Sequence, residues 1–421
     1  MKVNFSSARL AIGACALLLA GCAGLPSRHP LPPYEAIQER VEAGDPEGAL
    51  ALYDRAMAGQ EAEPGDRLLR AQLLLAADRG GEARAELESL VAAHPGQAEA
   101  LATLGRLYRE AGDEEGARGL FERAVQADPG NFTAQHGLGR ILLGKERYAE
   151  ALEHLDRALQ TEKGFPFAYA DRARARAALG DPAGAASDLE EAIRLDPGDP
   201  WNYLDRGRLR LAAKRPQEAH EDFSRAIELD PGNFLARVLR AGIREEQGRS
   251  AEAIADYEEA LRLRPDYYFA FASLAELYYI EGDWEQAGRM FQKASQAEPE
   301  EVSYSLLAAL CLKQAGRGRE AVQALNALAA RLQAKTWELA AARYLADPAR
   351  ELAMLAEIGR ETDRVRRGRL LFYLGAQFLL EGRTAPALTY LAEAAAVERR
   401  DLPERRIAAA LLKTYGHEVD E

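Results

Sequence analysis

Arginine and aspartate recur along this 421-residue sequence at fixed distances, and the distances select their chemistry. Arg172, Arg206 and Arg240 are each followed sixteen residues later by an aspartate: Asp188, Asp222 and Asp256. At other multiples of the same 34-residue step the first position holds Leu104, Leu138, Leu274 or Ala308, and the second then holds Leu120, His154, Met290 or Ala324. The two positions change together, as an ion pair requires: a partly buried guanidinium needs a carboxylate that accepts its parallel N–H bonds. The three pairs are expected to be internal and structural. A second arginine series, Arg106, Arg140, Arg174 and Arg208, keeps the same step, and the aromatics Phe167, Trp201 and Phe269 share another position of it. Guanidinium groups gathered beside aromatics suit an acidic or amphipathic peptide. The alternative is local pairing, such as Asp171 with Arg174 and Asp205 with Arg208. A further triple, Arg176, Arg210 and Arg244, has no such reading from the sequence.

Catalytic chemistry finds no constellation to carry it. His29, His94, His136, His154, His220 and His417 are scattered, and none stands at metal-ligand spacing from a cysteine or another histidine. Gly137-Leu138-Gly139 lies inside a predicted helix with no strand before it, so it is not a nucleotide loop. The sequence contains no Walker A motif and no G-x-S-x-G. No enzyme activity, metal or cofactor is expected. The net charge of −13, from 54 basic and 67 acidic residues, argues against a nucleic-acid partner, which needs a basic footprint.

One residue does invite covalent chemistry. Lys2 and Arg9 precede an apolar run, Ala11 to Ala20, that is too short to span a membrane, and the run ends in Leu19-Ala20-Gly21-Cys22. This resembles a bacterial lipobox after a signal peptide of residues 1–21, and implies that the Cys22 thiol carries lipid. Ala23, rather than Asp, follows, which favours sorting to the periplasmic face of the outer membrane. Pro26, Pro30, Pro32 and Pro33 make residues 22–33 an extended tether. Cys15 would leave with the signal, so Cys311 has no partner for an intrachain disulfide and is expected to be a small buried apolar group.

The elements that position these side chains follow from periodicity. Pro95, Pro129, Pro197, Pro231, Pro265 and Pro299 are 34 or 68 residues apart, and Ala83, Ala117, Ala151, Ala185, Ala219, Ala253, Ala287 and Ala321 keep the same beat. Within 98–131, Leu101, Leu104, Leu107 and Tyr108 form one helical stripe and Ala117, Leu120, Phe121 and Ala124 a second. Gly112 breaks the chain between them, and Asp128-Pro129 ends the second helix. Few segments look β-rich, so the class is all-α, and 48% apolar with only 7% aromatic residues fits closely packed helices.

Leu101, Leu104-Gly105, Tyr108, Ala117, Phe121, Ala124 and Pro129 resemble the tetratricopeptide repeat (TPR), as do Phe271, Leu274, Tyr278, Ala287, Phe291, Ala294 and Pro299. The resemblance implies antiparallel helix pairs stacked in a superhelical solenoid with a concave peptide-binding groove. It also implies that Arg106, Arg140, Arg174, Arg208 and the three aromatics face that groove. The array covers 34–335, with regular units from about 64; a degenerate helical pair follows at 336–367, then a C-terminal unit and capping helix at 368–421. The carboxylate clamp of some TPR proteins needs Lys and Asn where this chain has Ala102, His136, Ala170 and the arginines, so that activity is not implied.

Trp337 to Leu345, Leu371-Phe372-Tyr373-Leu374-Gly375 and Glu404 to Leu412 are similar to NlpI-type outer-membrane lipoproteins. That resemblance implies a membrane-anchored periplasmic scaffold for envelope proteases or peptidoglycan hydrolases. The other class open is an assembly lipoprotein for pilus or secretin subunits, and a passive structural protein is a third. The C-terminal helix can also fold back into the groove and occupy it.

Overall fold

The structure, a computed structural model, describes residues 34–399 and 401–417; Cys22 and the tether expected at 22–33 lie outside them. Among the described residues there are 23 α-helices, one 3-10 helix and no strand. The chain divides into two compact units, one ending at Arg206 and the other beginning at Gly207.

The first unit is a succession of antiparallel pairs: α1 (Tyr34–Glu42) with α2 (Pro46–Ala56), α3 (Pro64–Ala76) with α4 (Gly80–Ala93), α5 (Ala98–Glu110) with α6 (Glu114–Ala127), α7 (Phe132–Gly144) with α8 (Tyr148–Thr161), and α9 (Pro166–Ala178) with α10 (Pro182–Leu195). The division falls inside α11 (Pro200–Ala212), within the regular array, where nothing in the 34-residue beat marks it. The second unit continues with α12 (Pro216–Leu229), α13 (Phe234–Glu246), α14 (Ser250–Leu263), α15 (Phe269–Glu281), α16 (Trp284–Ala297), α17 (Val302–Gln314) and α18 (Gly318–Ala329). The beat then loosens into α19 (Trp337–Ala346), the 3-10 turn Pro348–Arg350 and α20 (Glu351–Arg360). The long α21 (Arg364–Leu380) starts upstream of residue 368 and pairs with α22 (Thr384–Ala395) before the final α23 (Pro403–Thr414).

Helices this short are marginal alone, so they persist by packing. The ring of Phe121 on α6 shows how tightly. A Cβ on Gly105 would stand 2.8 Å from that ring and one on Gly137, in the next repeat, 2.5 Å from it. Glycine at both positions lets one aromatic side chain seal two neighbouring helices. Capping is equally local: Asp113, Asp181 and Asp283 accept backbone N–H bonds from Gly116, Gly184 and Gln286 at 2.8, 2.8 and 3.1 Å. In the second unit a continuous apolar core runs from Ala241 through Tyr279, Phe291 and Tyr373 to Ile407 and Leu412 of α23. Cys311 lies in it, free and fully buried, and burial pushes its thiol well above the usual range. No helix among the described residues is long and apolar enough to cross a membrane.

The turn inside each repeat uses one fixed left-handed position. Gly112, Gly180, Gly248, Gly282 and Gly316 occupy it with φ of 71–84°, but Asp78, Glu146 and Lys214 occupy the same position at 57–59°. A side chain there costs about 1 kcal/mol that glycine avoids. Lys214→Gly should therefore raise the melting temperature of the second unit by about 2–4 °C in a calorimetric scan; an unchanged or lower value would show that Lys214 gains more from its surroundings than its backbone loses.

Candidate peptide-binding surfaces

Two kinds of arginine must be separated before any surface can be defined. The first kind is turned inward. Arg172 on α9 donates from Nε and Nη2 to Asp188 on α10 at 2.9 and 2.6 Å, and Arg240 on α13 does the same to Asp256 on α14 at 2.8 and 2.7 Å. Each aspartate is buried and accepts a second guanidinium from one helical turn further on: Arg176 at 2.9 Å and Arg244 at 2.6 Å. In the repeat between them Asp222 takes Arg210 at 2.8 Å. Arg206 closes the first unit while Asp222 lies in the second; within its own unit Arg206 sits over the Tyr203 ring, 5.6 Å from its centre. The triple Arg176, Arg210 and Arg244 is thereby explained: it shares the buried carboxylates. The sequence held a signal for this, because repeats with leucine in place of Arg172 carry Tyr108, Leu142 or Tyr278 where Arg176 would stand. Arg70 is an earlier member that the aspartate pattern hides. Its partners are Glu86, sixteen residues on, at 3.4 Å and Asp54 at 2.9 Å.

The second kind lies on the first helices of the repeats, facing away from these pairs. Arg106 on α5 reaches Glu110 at 3.0 Å along its own helix. Arg140 on α7 and Arg174 on α9 are exposed and converge on Asp171 at 3.6 and 3.3 Å, and Arg174 also meets Asp205 at 3.4 Å. Asp171 is itself buried and accepts from His136 Nε2 at 2.9 Å. Burial pushes its carboxyl up, but the His136 bond and the charges of Arg140 and Arg174 outweigh this and hold it below its usual value. The local pairing of Asp171 with Arg174 is thus present, and about half of each arginine side chain stays open to solvent. Sequence reasoning overlooked Arg109, three residues after Arg106. It is half-buried, its Nε has no hydrogen-bond partner, and burial and then the nearby Arg140 both disfavour its charge. Phe167 is half-buried beside this row, whereas Trp201 is 52% exposed. Arg208 lies just inside the second unit, exposed but engaged with a partner. There too Phe269, 61% exposed, rests against Tyr268 at 4.1 Å.

Further along the second unit, two of these repeat positions hold a carboxylate instead. Glu276 stands two 34-residue steps after Arg208, and Glu245 stands four steps after Arg109. A helix lies across them. α23 packs on α15, α21 and α22, and its Arg406 donates to Glu245 at 3.0 Å and to Glu276 at 2.6 Å. Two residues earlier, Glu404 accepts from Tyr373 at 2.9 Å, and Arg369 lies 3.8 Å from Glu404 and 3.1 Å from Glu301. Glu276 is 1% exposed; burial pushes it up to about 8, with Arg406 pulling the other way. Among the described residues no group of three or more His, Cys, Asp and Glu could hold a metal ion.

Two outcomes follow. Asp256→Ala strands Arg240 and Arg244 and should cost about 3–5 kcal/mol in denaturant unfolding of the second unit, whereas Asp266→Ala at the exposed Arg264 pair should cost under about 0.5 kcal/mol. Folding takes up a proton at Glu276 between its ordinary 4.5 and about 8, so the second unit is most stable below that window and loses stability as pH rises through it. Melting scans across that range should show the fall in the native chain. Glu276→Gln should flatten it in part, since burial also raises Glu245 and leaves some slope.

Comparison with known proteins agrees with this architecture. One tetratricopeptide-repeat model matches residues 68–132 and 204–268, and a second matches 108–177 and 244–304. Similar solved structures include MamA, 23% identical with a TM-score of 0.36 over 38% of this chain and 95% of that one. Others are YrrB, described as a TPR protein with an unusual peptide-binding site (21% identical, TM-score 0.39, 44% and 95% covered), and pilF of Pseudomonas aeruginosa (18%, 0.43, 48% and 92%). At these identities the likeness concerns the fold alone. No curated protein matches the chain. The chain is thus a tetratricopeptide-repeat protein, an all-α solenoid of helix pairs of the kind that mediates protein–protein interactions.

Proposed function

We propose that this chain is a lipid-anchored adaptor on the periplasmic face of the bacterial outer membrane, gathering envelope enzymes such as peptidoglycan hydrolases or proteases. Its first unit would hold acidic or amphipathic segments of those partners along Arg106, Arg109, Arg140 and Arg174. The observation that carries the binding role is the engagement of Arg406 by Glu245 and Glu276. These positions of the repeat face a surface on which a helix can lie; in the first unit the Glu276 position holds Arg106, Arg140 and Arg174, and the Glu245 position holds Arg109 in one repeat. Exposed Trp201 adds an aromatic contact of the kind that concentrates binding energy. The anchor rests on Leu19-Ala20-Gly21-Cys22 and on the NlpI-like segments of the sequence.

The test is affinity capture from membranes with the native chain and with Arg106→Glu, Arg140→Glu and Arg174→Glu combined. Loss of specific partners at least about tenfold in yield is expected, because reversing charges at a complementary surface costs several kcal/mol. Identical partners from both chains would end the groove reading. Captured hydrolases or proteases support the adaptor, and captured pilus or secretin subunits would replace it with the assembly role. Separately, Cys22→Ser should abolish labelling by a palmitate analogue and release the chain from the membrane fraction.

A further inference from the structure

The contacts of α23 exceed what closing a solenoid requires. A terminal helix must cover the apolar face of the last pair, and Ile407, Ala408 and Leu412 do so within the second unit's core. Arg406 serves no such purpose. It reaches Glu245 and Glu276, which precede it by 161 and 130 residues, on helices of much earlier repeats. We infer that the face of the second unit lined by Glu245 and Glu276 is a docking surface for an arginine-bearing amphipathic helix of another protein, and that α23 is the resident occupant such a helix displaces.

Three features support exchange over permanent structure. The recognition is specific in chemistry: two carboxyl groups converge on one guanidinium, and a glutamate two residues earlier meets Tyr373 and Arg369. The closed contact is also imperfectly satisfied. Glu276 Oε2 and Arg406 Nε lack a hydrogen-bond partner, and Arg369 Nε and Glu404 Oε2 face each other only at 3.8 Å, beyond hydrogen-bond reach; each such buried polar atom weighs against the closed state. Finally, the two glutamates stand at the repeat positions that carry the arginines of the first unit. The array thus presents one face for acidic segments and another for a basic helix. The visiting helix is defined by its resident: an arginine, with a glutamate two residues before it and apolar residues at one, two and six residues after it, as in Glu404, Arg406, Ile407, Ala408 and Leu412. This inference is independent of what the first unit binds, and its test touches none of that unit's arginines.

A fluorescein-labelled synthetic peptide of residues 402–417 is titrated against the full chain and followed by anisotropy. The native chain, already occupied, should bind weakly. The full chain carrying Arg406→Ala, whose resident helix has lost its ion pairs, should bind the native-sequence peptide at least about tenfold more tightly. A peptide carrying the same alanine should lose that gain, as should a chain that also carries Glu276→Gln. Circular dichroism establishes that each chain is folded. The inference is overturned if the Arg406→Ala chain folds but binds no more tightly than the native one. It is equally overturned if that chain fails to fold, since α23 is then a fixed part of the core, or if the native chain binds as tightly as the variant, since α23 then occupies nothing.

Discussion

A guanidinium gives up its charge only with difficulty, so an arginine withdrawn from water is costly unless a carboxylate meets it, and most such arginines in this protein are met in that way. That one constraint links features that look separate. It fixes the register of α9 on α10 through Arg172 and Asp188, and of α13 on α14 through Arg240 and Asp256. It ties neighbouring repeats together where Arg172 also reaches Asp156 at 2.8 Å. It brings α23 onto α15 through Arg406 and Glu276. In repeats that lack the pair, the same two positions hold Leu104 with Leu120, Leu274 with Met290 or Ala308 with Ala324, or Leu138 with His154, which bonds to Gln135. The exchange of one solution for the other leaves the backbone of the repeat intact, because either fills the gap between the two helices.

Much of this was legible in the sequence for a physical reason. A solenoid makes contacts between residues a fixed distance apart, so its interactions appear as a beat, and positions that touch change together. Arg172 with Asp188 could be read that way. Arg176 could have been, since its place in other repeats is taken by Tyr108 or Tyr278. Arg70 was hidden because its partner is Glu86, one methylene longer and so outside a pattern built on aspartate. The destination of α23 had no signal of this kind. Its contacts join residues 130 and 161 apart, which belong to no period of the repeat. Only the change from Arg208 to Glu276 at a shared position hinted that the second unit's face would want a cation.

Contacts of that long range alter the physics of the second unit. A linear repeat array is held by nearest neighbours and can open from either end. In the second unit the last helix is bonded to α13 and α15, so opening its C-terminal end also breaks contacts made by repeats well inside it. The unit gains cooperativity from these polar bonds in addition to the apolar core that Ile407, Ala408 and Leu412 join. Those bonds include a glutamate that burial drives towards its neutral form, and polar atoms left unpaired. Cooperativity gained in this way is sensitive to charge, whereas apolar packing is not.

The two faces therefore differ in what it costs to use them. On the first unit Arg140 and Arg174 are exposed and share one buried aspartate, so a ligand carboxylate adds to charges that are already solvated and only partly neutralised. Binding there should depend on salt and be quick to form and break. On the second unit any newcomer must replace contacts that already exist, and its net gain is only the difference between its own ion pairs and those of Arg406. A surface occupied from within selects partners by that difference, not by charge alone. Few sequences will satisfy it, because the arginine has to arrive with a glutamate and an apolar stripe in the spacing that Glu404, Ile407 and Leu412 already provide.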